Sequence, residues 1–97
     1  MSEPSAALLR AYAEELRELA RAQADRAATC ATLLDGVTRL DDDHTWQGTY
    51  PDEAHATIHG WVRGLAAAAR SCHDQAASWR ARAADLDRQA DALPKPT

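Results

Sequence analysis

The chain has 97 residues, room for one domain, and 23 of them are alanine, with no phenylalanine and only five tryptophans and tyrosines together. A chain this size buries only about 60–65 % of the surface its unfolded form exposes, and β-branched and aromatic residues that fill sheets are sparse, so a cofactor-binding α/β enzyme is excluded and an all-helical protein expected. Net charge is −4, from 15 acids and 11 bases without a basic run, which disfavours phosphate backbones and anionic lipid as partners.

The N-terminus, Met1-Ser2-Glu3-Pro4, carries no basic region and no apolar run follows it, so a cleavable leader is not expected. The longest apolar run, from Leu65 to Ala69, is far short of the ~20 residues of a membrane span. These features predict a cytoplasmic protein, with any export following a leaderless route.

The first predicted helix covers about residues 4–40, with Ser2 as N-cap and Pro4 in the first turn, where its missing N–H costs nothing. Apolar residues recur in a 3-4 rhythm at Leu9, Tyr12, Leu16, Leu19, Cys30, Leu33, Val37 and Leu40, with Gln23 and Arg26 in the two middle places. Ala13, Ala20, Ala27 and Leu34 run alongside, so the apolar stripe is wide but thin at its centre. Gly36 costs about 1 kcal/mol against alanine and marks a candidate kink.

A loop is expected over about residues 41–50, opening on the acidic run Asp41-Asp42-Asp43, which reads as solvated. Helix 2 follows over about 51–93. Thr49 with Asp52 fits a capping box, Pro51 occupies the first turn, and Asp52 and Glu53 meet the positive end of the helix dipole. Its seam is unbroken: Ile58, Val62, Leu65, Ala69, Cys72, Ala76, Trp79, Ala83, Leu86, Ala90 and Leu93. Spacings of 4 and 3 over five heptads are the coiled-coil period. Pro94 and Pro96 end the helix and leave a short tail over 94–97.

Helices of this length, joined by so short a loop, must fold back antiparallel. Each covers only one side of the other, and Trp61 and Trp79, with Tyr12 on the first helix, exceed what a lone hairpin buries; the expected partner interface is Tyr12, Leu16, Leu19, Ile58, Trp61, Leu65, Trp79 and Leu86. A second hairpin, completing a four-helix bundle, is the expected remedy. Gln23, Arg26, Gln75 and Arg82 near the seams are candidates for specifying the partner.

His55 and His59 stand at i and i+4 and face one way, so a cytosolic homodimeric bundle holding a metal or small ligand through them, with His44 as a third ligand, is the alternative. No H-E-x-x-H pattern is present, and Cys72 and His73 point about 100° apart, so neither a metalloprotease nor a thiol nucleophile is supported. No catalysis and no cofactor are expected. A turn near residue 46 would set Cys30 level with residue 61 and separate it from Cys72 by roughly 16 Å, beyond disulfide reach. Gly60 and Gly64 predict a notch for a bulky side chain such as Trp46.

The loop reads Asp43-His44-Thr45-Trp46-Gln47-Gly48-Thr49-Tyr50-Pro51. Trp46 and Gly48 at mid-chain, between two long coiled-coil-like helices, resemble the WXG family, the small ESAT-like hairpins of actinobacterial and Firmicute type VII secretion. The resemblance spans nearly the whole chain. It implies a non-enzymatic subunit that pairs with itself or a sister hairpin as a four-helix bundle and is exported folded or accompanies a larger secreted substrate. In the family a C-terminal Y-x-x-x-D/E element of one subunit lies beside the W-x-G turn of the other. Helix 2 here is followed by no such element: the nearest aromatic is Trp79, with Ala83 four residues on. Either a partner supplies that tail or the chain is a relative outside the pathway.

Overall fold

Two long helices lie packed against each other in a computed structural model that describes residues 5–40 and 52–94. Helix α1 runs Ala6–Leu40 and α2 runs Asp52–Ala92; no strand occurs among the described residues. The turn, with Trp46, Gly48, His44 and the Thr49 cap, lies outside them, as do Ser2 and Pro4.

Helix α1 begins on a local cap. Ser5 is the cap: its hydroxyl accepts from the Leu8 N–H at 3.1 Å, and its carbonyl accepts from Leu9 at 3.0 Å. A serine three residues before a donor satisfies an otherwise orphaned amide of the first turn. Gly36 does not interrupt the helix. At the other end of the hairpin, the Leu93 amide bonds the Ala90 carbonyl, an i−3 closure before Pro94, which has no N–H with which to extend the ladder.

All eleven seam positions of α2 are buried or half-buried. On α1 the inner seam takes Leu9, Ala13, Leu16, Ala20, Gln23, Ala27, Cys30, Leu34 and Val37, while Tyr12, Leu19, Arg26 and Leu33 of the expected stripe are exposed. The wide stripe is therefore two stripes, one position apart. Alanine at alternate inner places lets the backbones approach, and the bulky residues go to the flank, where that approach does not exclude them. Ala13, Ala20, Ala76 and Ala83 are fully buried, and the cluster around Leu9 and Leu86 closes the end near the termini.

The overall extents are 78 × 20 × 13 Å, and the smallest is close to the diameter of one helix. The protein is thus a single layer two helices wide, with both broad faces open. Its accessible surface is 7200 Å², against roughly 5,400 Å² for a compact monomer of this mass.

The register also departs from the one expected. Gln23 donates to Gln75 across the helices, and sequence pairs with that offset set Cys30 level with Ala68, one helical turn from Cys72. The two thiols are free and half-buried in the same stretch of the seam, much nearer than a turn centred on residue 46 would place them.

Candidate interaction surface

The two flanks of the hairpin differ in chemistry because they are read one position before and one position after the buried seam. The position after it on α1 brings Arg10, Glu14, Arg17 and Arg21 to one side, and on α2 Asp87 and Asp91 face them. Arg10 bonds Asp91 at 2.9 Å, Arg17 bonds Asp87, and Glu14 lies 3.5 Å from both Arg17 and Arg21. The hydrogen bond to Asp87 raises the pKa of Arg17, with Glu14 adding to it against some loss of hydration. That flank is a solvated ladder of ion pairs.

The opposite flank carries the large apolar residues. Leu8, Tyr12, Leu19, Leu33 and Trp61 are 42, 48, 50, 53 and 56 % exposed. A fully exposed leucine forgoes about 1.5–3 kcal/mol of burial, and five large exposed side chains on one side of a small protein are of the kind that marks an interface. At one end Leu33, Val37, Gly60, Trp61, Gly64 and Leu65 line an apolar groove of about 420 Å³. The notch expected from Gly60 and Gly64 is present in it: a Cβ at either glycine meets nothing within 4 Å. Trp46, its expected occupant, lies outside the described residues.

Two charges interrupt this flank on α1, Glu15 and Arg26. Arg26 donates to the side-chain Oε1 of Gln23, and Gln23 Nε2 donates to Gln75 Oε1, so a polar thread joins α2 to α1 and ends on the apolar side. Among the described residues no opposite charge pairs with either Glu15 or Arg26.

Of the residues expected to contact a partner, Tyr12, Leu19 and Trp61 lie open on this flank. Ile58 and Leu86 are buried between the two helices of the chain itself, and Leu16, Leu65 and Trp79 are half-buried there. Leu8 and Glu15 also belong to the flank, beyond the residues expected there. Their signal in the sequence is the same 4-3 spacing started one residue earlier, at Leu8 rather than Leu9.

His55 is half-buried and His59 exposed, one turn apart early in α2; His59 lines a shallow groove with Thr38, Val62 and Arg63. Among the described residues no three metal-ligating side chains gather, and His44 lies outside them. No helix among the described residues is long and apolar enough to cross a membrane. No protein-family model, curated protein or solved structure matches the chain.

Proposed function

We propose that the chain is a non-enzymatic interaction subunit, resembling the WXG hairpins of type VII secretion, that pairs through its apolar flank with a second helical hairpin. The pairing completes a four-helix bundle, and the pair acts as a secreted substrate or as the companion of a larger one. The observation that carries this reading is the row of exposed Leu8, Tyr12, Leu19, Leu33 and Trp61 on one side of a layer one helix thick. The excess accessible surface, on the order of 1,800 Å² over a compact monomer, exceeds the roughly 800 Å² that a standard protein interface removes from each partner. The loop pattern around Trp46 and Gly48 supports the family and the secretion context.

Size-exclusion chromatography with light scattering tests the pairing, on the chain alone and co-expressed with its neighbouring gene product. Wild type is expected to elute as a dimer or as a one-to-one complex. Leu19→Asp with Trp61→Ser is expected to abolish it while leaving the helical circular dichroism intact. A wild-type chain that stays monomeric alone and takes up no hairpin partner would sink the reading.

A further inference from the structure

Resting on that reading, we infer that the hairpin which covers the apolar flank is a second copy of this chain, docked with its α1 antiparallel to α1 about a two-fold axis between Ala20 and Arg21. The argument is self-complementarity. A two-fold interface sets each residue opposite the one equally far beyond the axis. With the axis there, Leu8 meets Leu33, Tyr12 meets Thr29, Glu15 meets Arg26, and Leu19 meets Ala22, each pair occurring twice. Both unpaired charges of the flank thereby find each other, large meets small next to the axis, and leucine meets leucine at the ends.

Neighbouring registers fail on the same residues. Sliding the axis by half a heptad in either direction puts Glu15 opposite Leu19 or opposite Leu33. A carboxylate would then lose water without gaining a partner, which costs more than the apolar contact returns. The charges therefore select one register among those the heptad period allows.

Two further features agree with this placement. The groove lined by Leu33, Trp61, Gly60 and Gly64 is as far from the axis as Leu8, so Leu8 of each copy, half exposed in the single chain, enters the groove of the other. The open space at both glycines is what admits it. The bond from Arg26 to Gln23 leaves the guanidinium with donors to spare for Glu15 of the second copy, and Thr29, which donates to the Asp25 carbonyl, keeps its oxygen free to accept from the Tyr12 hydroxyl. On α2, with the offset of the Gln23–Gln75 bond, the same axis falls between Ala77 and Ser78 and brings Trp61 level with the end of the other copy's α2, while Arg82 and Asp85 of that row pair with each other at 3.8 Å.

Charge exchange tests the register. Sedimentation equilibrium is run on wild type, Glu15→Arg, Arg26→Glu, the double variant and an equal mixture of the two single variants, each checked for helicity by circular dichroism. Each single variant places like charges together twice and is expected to weaken self-association roughly tenfold or more. The double variant is expected to recover to within about threefold of wild type. The mixture of singles is expected to form a heterodimer, because one chain then carries acids at both positions and faces a chain with arginines at both. Loss of helicity cannot mimic recovery in the double variant or the mixture. Folded single variants that dimerise like wild type would overturn the register while leaving pairing on this flank in place. A wild-type chain monomeric at about 100 μM would overturn the second copy as occupant and leave the proposed pairing to an unlike hairpin recovered by co-expression.

Discussion

Single residues in this hairpin are placed by what their neighbours leave open. Gly36 lies inside α1 with nothing within 4 Å of where a Cβ would stand, so its only effect is to widen the unfolded ensemble. Gly36→Ala is expected to stabilise the fold by about 0.5–1 kcal/mol, read as a rise in the thermal midpoint by circular dichroism. Arg17 and Asp87 form the best-covered ion pair of the polar flank, with side chains 36 and 32 % exposed. The raised pKa of Arg17 contributes stability that is fully present below the ordinary arginine range and is lost only as pH rises through the folded-state value. No physiological pH window is therefore affected, and ionic strength is the useful variable. Asp87→Asn is expected to lower the denaturation midpoint at low salt, and the difference from wild type to shrink at 1 M salt, where exposed charges are screened within a few ångströms.

The helices themselves show how one heptad pattern can serve two surfaces. On α2 every apolar seam position in the sequence is an inner position in the structure, because that seam stands alone on its helix. On α1 two apolar stripes run side by side, and the sequence does not say which turns inward. Packing decides it: alanines at 13, 20 and 27 admit a close partner helix, while Tyr12, Leu19 and Leu33 in the same places would hold the backbones apart. Gln23 is the exception, 7 % exposed and bonded to Gln75 and Arg26. Both of those partners are exposed and regain water if the bond is lost. Gln23→Leu is accordingly expected to leave the urea midpoint unchanged or raise stability by up to about 1 kcal/mol. Its cost falls on alignment, since the cross-helix bond from an inner position to Gln75 goes with it.

At the scale of the molecule, shape and surface chemistry govern behaviour. A radius of gyration of 21.6 Å, against about 13 Å for a compact domain of this length, leaves a thin layer whose one flank is a charged ladder and whose other carries the large exposed apolar residues. A layer of this kind gains most of its missing burial from a partner, so its stability is linked to association. The thermal midpoint is expected to rise with protein concentration between about 1 and 100 μM, as binding to the native state requires; a midpoint independent of concentration would mean that the single hairpin suffices.

The sequence by itself determined the helical class, the two elements and nearly their ends, the inner seam of α2 and the surplus of apolar residues. These follow from composition, capping and a period of 3.5, which act locally along the chain. Only the tertiary structure decided which stripe of α1 faces inward, where Cys30 stands against Cys72, and that Glu15 and Arg26 share a flank with Leu8, Tyr12, Leu19, Leu33 and Trp61. Those are questions of rotation and register between helices. They are settled by how closely two particular surfaces can approach, which no single helix encodes.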